Sequence, residues 1–152
     1  MSSIRNKRLA KELKTISTQS HRGISVSAPS LEEILVVLEI SDNPLYGDRY
    51  TLRMRVPAQY PIESPETQFI VTAGSPRVPL HPHVYSNGHI CLDILYSGWS
   101  PVHGIMSLAL SIQSMLAGNT LAQRPPDDEQ YSGRVGAQSS KKTQFVFHDD
   151  TV

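Results

Sequence analysis

Apolar residues recur at helical spacing in two segments, one near the start of the chain and one after its midpoint. The pattern predicts a first helix over residues 3–17, capped by Ser2 or Ser3, and a second over residues 103–117, ended by Gly118. The apolar positions are Leu9, Leu13 and Ile16 in the first helix and Ile105, Leu108, Ile112, Met115 and Leu116 in the second. A short further helix is expected after Pro125.

Between the two helices the apolar pattern changes to that of strands. Residues 34–40 form an apolar run typical of a buried strand, and residues 50–56 alternate as a half-buried strand does. A third strand is predicted over residues 68–72, whereas the Ser- and Gly-rich residues 18–30 are expected to form a loop. Short turns between the strands favour an antiparallel β-meander, so the predicted class is α+β. We expect a core domain over residues 1–131 and a polar, mobile segment over residues 132–152.

The stretch from Gly74 to Trp99 lacks either period and is rich in His, Pro, Gly, Asn and aromatic residues. Long irregular segments inside a small domain usually carry function. The only cysteine of the chain, Cys91, lies in this stretch and follows the turn-forming pair Asn87-Gly88. A lone cysteine is more often an inert buried side chain, but this context makes Cys91 a candidate nucleophile.

Two other kinds of site would use the same residues. A zinc site would take its ligands from His81, His83, His89 and Cys91, although their spacing matches no standard zinc motif. A cysteine–histidine hydrolase would need a histidine beside the thiol, and His89, two residues away along an extended chain, is poorly placed for that task.

Composition and charge exclude several classes of protein. Lysine plus arginine number 14 and aspartate plus glutamate number 14, so no bulk charge favours nucleic acid. One cysteine forms no internal disulfide, and no segment approaches the ~20 apolar residues of a membrane span. The N-terminus also lacks an apolar signal core, so we expect a cytoplasmic or nuclear protein that binds neither nucleic acid nor membrane.

Several motifs together resemble those of the ubiquitin-conjugating enzymes. They are Tyr46-Gly47, Tyr60-Pro61 with Pro65, His81-Pro82, Asn87-Gly88, Ile90-Cys91-Leu92-Asp93-Ile94-Leu95 and Trp99-Ser100-Pro101. The resemblance covers residues 3–128 and implies the ubiquitin-conjugating (UBC) fold, with an N-terminal helix, an antiparallel sheet, a central helix and a shortened or partly disordered C-terminus.

The resemblance also implies an activity and partners. Cys91 would accept ubiquitin from the activating enzyme as a thioester and transfer it to an amine, which makes the chain a transferase. Arg5 and Lys11 would dock the activating enzyme, and Leu108 would face ubiquitin. A RING or U-box ligase would contact Ile62, Ser100, Pro101 and Val102. The chain would need no cofactor or metal of its own, because ATP is consumed by the activating enzyme.

Two departures from the family pattern bear on the acceptor. His83 replaces an asparagine, and its imidazole would donate the same hydrogen bond or act as a base according to its tautomer. Asp127 and Asp128, the candidate acidic gate, come later than usual and would not reach Cys91 as the family's acids do. These departures, with segments 141–143 and 148–151, resemble the W-type branch, which modifies the α-amino group of flexible substrate N-termini.

Acid–base arithmetic is consistent with that acceptor. An α-amine is about 10–15% neutral at pH 7 and a lysine about 0.04%, so lysine gains more from a site whose acids orient it and whose desolvation lowers its pKa. The alternatives are a conventional lysine-directed conjugating enzyme and a non-enzymatic metal- or ubiquitin-binding scaffold.

Overall fold

The computed structural model describes residues 3–135 and Lys141. The chain begins with helix α1 (Ile4–Thr18), followed by strands β1 (Ile24–Ser30), β2 (Glu33–Glu39), β3 (Arg49–Arg55) and β4 (Glu66–Ile70). A 3₁₀ turn at Asp93–Leu95 then leads to helix α2 (Ile105–Ala117) and helix α3 (Asp128–Val135). The predicted α+β class is confirmed.

The four strands form one antiparallel sheet in sequence order, as a meander requires. β2 alternates between buried and half-buried residues up to its exposed last residue, Glu39, and its buried face continues across the register pairs Val36–Leu52 and Leu52–Phe69. Helix α2 lies against β2 and covers this face. The buried side chains of α2 are Ile105, Leu108, Ala109, Ile112, Met115 and Leu116. The core therefore lies between the sheet and α2.

Helix α1 begins where its cap predicts, because the Ser3 hydroxyl accepts a hydrogen bond from the Asn6 N–H at 3.1 Å. It buries only Leu9 completely, while Leu13 and Ile16 pack partly against the core. Glu12 fixes α1 to α2, since one carboxylate oxygen accepts from the Ile105 N–H at 2.8 Å and the other from the Tyr60 hydroxyl.

Two sequence predictions differ from the structure. Residues 18–30 are not all loop, because β1 pairs with β2 through Ile24–Leu38 and Val26–Val36. The predicted boundary at residue 131 is also too early, since α3 continues to Val135, whose side chain is buried. The apolar segment 145–147 lies outside the described residues. Within residues 3–135 and 141, no helix combines the length and apolar character that crossing a bilayer requires.

Candidate active site

The chain segment before Cys91 folds back on itself as a tight loop that docks on β4. The Cys91 N–H donates to the His83 carbonyl at 2.8 Å, and the Tyr85 N–H donates to the His89 carbonyl at 2.9 Å. Gly88 makes the turn with a φ of 92°. Its carbonyl accepts from the Phe69 N–H at 2.9 Å, and a Cβ at this position would lie 2.1 Å from the Phe69 oxygen. Only glycine fits this turn, which fixes the position of Cys91.

His83 holds the backbone of Cys91 with its side chain as well as with its carbonyl. Its ring is 2% exposed, and Nδ1 lies 3.0 Å from the Cys91 carbonyl oxygen. A carbonyl oxygen only accepts, so Nδ1 carries the hydrogen. In the neutral ring Nε2 then has a lone pair in place of a hydrogen, so it accepts a proton and does not donate one. The neutral side chain therefore supports the loop, and donating to an oxyanion from Nε2 would require the imidazolium form.

The other two histidines of the loop are held by equally specific bonds. His81 Nδ1 accepts from the His83 N–H at 2.8 Å, and burial together with the neighbouring His83 lowers the pKa of His81 to about 4. His89 Nδ1 lies 2.7 Å from the Tyr131 hydroxyl, and burial lowers the pKa of His89. Across residues 3–135 and 141, no group of three or more His, Cys, Asp or Glu side chains is arranged to hold a metal ion. The histidines form a buried scaffold around the loop.

The side chain of Cys91 is buried beneath helix α3. It is 3% exposed and belongs to a small apolar cluster with Tyr85, Tyr131 and Val135. The last two belong to α3, which brings them back to the loop about 40 residues after it. The sequence did not predict that α3 packs over Cys91, because no local pattern connects α3 with the loop.

Asp127 and Asp128 are bound to the loop that carries the cysteine. The Tyr85 hydroxyl donates to Asp127 at 3.0 Å, and the Ser86 N–H donates to Asp128 at 2.7 Å. Burial and the hydrogen bond to Asp127 raise the pKa of Tyr85 above its usual range. Both carboxylates thus serve to connect the start of α3 with residues 85 and 86.

Arg124 is a further site residue that the sequence did not indicate. Its guanidinium donates to the carbonyl oxygens of Pro79, Val84 and Val78, at 2.6, 3.1 and 2.9 Å. A side chain that binds three loop carbonyls has no sequence signature, because any residue supplies a carbonyl. Arg124 fastens the segment after α2 to the active-site loop from outside.

The predicted ligase-contact residues lie on two loops that the structure joins. Ile62 is 72% exposed and Val102 is 85% exposed, which is unusual for such apolar side chains. The Trp99 indole N–H donates to the Pro61 carbonyl at 2.9 Å and links the loops. Pro101 is exposed and Ser100 half-buried beside them. The two loops that carry the four residues are therefore joined, and each presents an exposed apolar side chain.

The other predicted contact residues differ in location and exposure. Lys11 is exposed beside a groove of about 310 Å³, whereas Arg5 lines a separate groove together with Arg53 and Arg55. Leu108 is fully buried in the core, at 0% exposure. The prediction that Leu108 faces ubiquitin is wrong for its side chain, because α2 turns this residue towards the sheet; Leu110 is the large apolar residue that α2 exposes.

Comparison with known proteins identifies the family of this chain. The family description "Ubiquitin-conjugating enzyme" matches residues 8–146. The chain is 43% identical over 148 residues to "Probable ubiquitin-conjugating enzyme E2 W" of Dictyostelium discoideum, covering 96% of each chain. It is 37% identical to "Ubiquitin-conjugating enzyme E2 W" of Caenorhabditis elegans, covering 100% of each.

A solved structure agrees. The crystal structure of ubiquitin-conjugating enzyme E2 UbcA1 from Agrocybe aegerita superposes with a TM-score of 0.84 at 43% identity, covering 91% of this chain and 99% of that one. The chain therefore belongs to the ubiquitin-conjugating enzymes, transferases that use a cysteine thioester, and has their fold. The similarity to E2 W proteins over nearly the whole chain supports its place in the W-type branch.

Proposed function

We propose that this chain carries ubiquitin as a thioester on Cys91 and transfers it to the α-amino group of substrates with flexible N-termini. The proposal rests on the hydrogen bonds that the polar side chains near the thiol make. His83 donates to the Cys91 carbonyl, and Asp127 and Asp128 accept from Tyr85 and Ser86. All three side chains that differ from the family pattern are thus engaged in holding the loop.

The chemistry requires two exchanges at the thiol. In charging, the Cys91 thiolate attacks the ubiquitin thioester on the activating enzyme. A C–S bond to Cys91 forms, the C–S bond to the activating enzyme breaks, and the thiolate of the activating enzyme leaves. In discharge, a neutral amine attacks the Cys91 thioester, a C–N bond forms, the Cys91 thiolate leaves, and the new ammonium loses a proton to solvent or a base. Thiol exchange is close to balanced, so Cys91 needs no dedicated base of the kind a hydrolase has.

The acceptor follows from which amine can react without help. Only a neutral amine attacks, and at pH 7 an α-amine is neutral roughly 300 times more often than a lysine. Desolvation of a lysine lowers its pKa and reduces this difference, and a carboxylate that accepts a hydrogen bond from the lysine holds it in position for attack. Here Asp127 and Asp128 bind the loop, so lysine loses assistance that the α-amine scarcely needs.

Formation of the thioester is tested by charging. Incubation with ubiquitin, an activating enzyme and ATP should give an adduct that a reducing agent cleaves. The Cys91→Ser variant should give either no adduct or one that resists reduction. The absence of any adduct with the unaltered chain would leave the ubiquitin-binding scaffold as the better description.

Acceptor choice is tested by discharge to two matched peptides. One has a free N-terminus and no lysine; the other has the same sequence with an acetylated N-terminus and a single lysine. We expect the thioester to discharge faster to the first peptide at equal concentration and pH. Faster discharge to the lysine peptide would show a conventional lysine-directed enzyme.

The partner surfaces are part of the proposal. The surface of Ile62, Ser100, Pro101 and Val102 would receive a RING or U-box ligase, because exposed apolar patches of this kind favour protein contacts. Lys11, and Arg5 in its own groove, would meet acidic groups of the activating enzyme.

A further inference from the structure

The thiol of Cys91 is too deeply buried for the chemistry that it has to perform. Cys91 is 3% exposed and shares one cluster of buried residues with Tyr85 and with Tyr131 and Val135 of α3. Charging brings a second protein's thioester to the sulfur, and the charged state must accommodate the C-terminal tail of ubiquitin beside it. Neither step is possible while α3 lies over the sulfur.

Resting on the function proposed above, we propose that α3 is a self-inhibitory cap, which occupies in the free enzyme the place beside Cys91 that the ubiquitin tail takes in the charged enzyme. The cap and the ubiquitin tail compete for one binding surface, formed by Tyr85, Ser86, His89 and Cys91. The enzyme therefore has to release α3 before Cys91 can be charged.

Specific contacts hold the cap on this binding surface. The Tyr131 ring stacks on Tyr85 with ring centroids 3.9 Å apart and planes 28° apart, and its hydroxyl lies 2.7 Å from His89 Nδ1. At the start of α3, the Ser86 N–H donates to Asp128 and the Ser86 hydroxyl lies 3.0 Å from that of Ser132. These bonds form only when α3 is in register with the loop, so the closed arrangement is a defined state.

The cap can be released without unfolding the domain. Tyr131 and Val135 pack in a cluster with Tyr85 and Cys91, which is separate from the core of the sheet and α2. α3 has 8 residues and contains Gly133, and an isolated helix of that length is marginal in water. Detachment of α3 therefore breaks its contacts with the loop and leaves the main core intact.

Alkylation of the single cysteine measures the opening of the cap directly and requires no ubiquitin. Purified full-length chain is treated with iodoacetamide from about pH 7 to about pH 9.5, across the ordinary thiol pKa of about 8.5, and followed by intact mass. The limiting rate at high pH reports access to the thiolate. Tyr131→Ala removes both the ring stack and the hydroxyl contact, so this rate should rise about tenfold.

Two further variants separate access from general damage. Tyr131→Phe keeps the stack and loses the hydroxyl contact, so it should give a smaller rise while unfolding as cooperatively as the unaltered chain. Gln130→Ala changes an exposed side chain of the same helix and should leave the rate unchanged. Equal alkylation rates for the unaltered chain, Tyr131→Phe and Tyr131→Ala would overturn the proposal, as would a similar rise with Gln130→Ala.

Competition between cap and tail is tested on the charged enzyme. In the Cys91→Ser variant, ubiquitin attached as an ester gives a stable product whose amide hydrogen exchange can be compared with that of free Cys91→Ser. Amides of α3 should exchange at least about tenfold faster in the charged form, whereas amides of β2 and β3 should not change. Equal protection of α3 in both forms would show that the tail and the cap do not compete. Failure of the unaltered chain to form a thioester with ubiquitin would contradict the proposed function, while the alkylation result would still decide whether α3 is a cap.

Discussion

His83 is the departure from the family pattern whose role the structure defines most sharply. Its Nδ1–H donates to the Cys91 carbonyl, and that carbonyl belongs to a buried residue. His83→Ala leaves the carbonyl without this donor, which costs about 1–3 kcal/mol, and removes a buried ring whose loss adds a cavity. We expect a total loss of roughly 2–4 kcal/mol in the free energy of unfolding.

The informative comparison is with His83→Asn. The asparagine amide offers an N–H on the side chain that can reach the same carbonyl, so it should recover most of the stability lost in His83→Ala. Urea unfolding gives the stabilities. Single-turnover discharge of the charged enzyme to a peptide with a free N-terminus, measured from about pH 6 to about pH 9, gives the rates on both sides of the ordinary α-amine pKa.

A supporting role makes two definite demands on these data. His83→Ala should slow discharge at every pH by a similar factor, and His83→Asn should restore much of the rate without altering the shape of the pH profile. His21→Asn, a histidine outside the active-site loop, serves as the matched control. If His83 were instead the base that takes the amine proton, both His83 variants would lose the same inflection from the profile, and asparagine would not rescue; that result would refute the reasoning.

Further predictions concern the scaffold. Gly88→Ala, which forces a side chain into a positive-φ turn, should lower the free energy of unfolding by roughly 2–4 kcal/mol and slow charging, whereas Gly74→Ala, with open space around it, should change neither. The pKa of His81 is lowered to about 4 from 6.5, so as the pH falls the unfolded chain takes up a proton before the folded chain does. The free energy of unfolding should therefore fall as pH drops from about 6.5 towards 4, with about 2 kcal/mol lost at pH 5. Urea unfolding should show a shallower loss over this range in His81→Gln. Glu12→Ala removes the carboxylate that accepts from the Tyr60 hydroxyl and from the first amide of α2, so it should lower the free energy of unfolding by about 2–3 kcal/mol, measured by thermal unfolding. Lys11→Ala changes an exposed side chain and should leave the stability unchanged. Equal losses in both variants would contradict this role of the carboxylate.

The helices and the inner strands could be predicted because their burial follows a local period. β2 alternates along its whole length, and α2 repeats apolar residues at helical spacing, so the sequence pattern and the burial pattern coincide. β1 lies at the edge of the sheet, where Ser25 and Ser27 face solvent and Ile24 and Val26 are only partly buried. That alternation was present in the sequence, but serine and glycine around it favoured a loop.

The cysteine and its loop could be located from sequence, but the state of the site could not. The turn at Gly88 and the block around Cys91 are consecutive residues, and such local motifs are visible in one sequence. The cover over Cys91 depends on Tyr131, and the tautomer of His83 depends on which of its atoms reaches a carbonyl. Both are long-range or atomic properties, for which a residue pattern provides no signal.

The position of Asp127 and Asp128 connects acceptor choice with access to the thiol. Asp128 is the first residue of α3 and Asp127 immediately precedes it, so both carboxylates should move with the cap when it leaves the loop. In the closed enzyme they accept hydrogen bonds from Tyr85 and Ser86, and the proposed release of α3 would break both bonds. On this proposal, neither carboxylate is at once held in place and free of the loop, as an acid that orients a lysine needs to be. An acceptor that is already substantially neutral at pH 7 loses least from this arrangement, so a movable acidic segment and a preference for α-amines are expected to occur together.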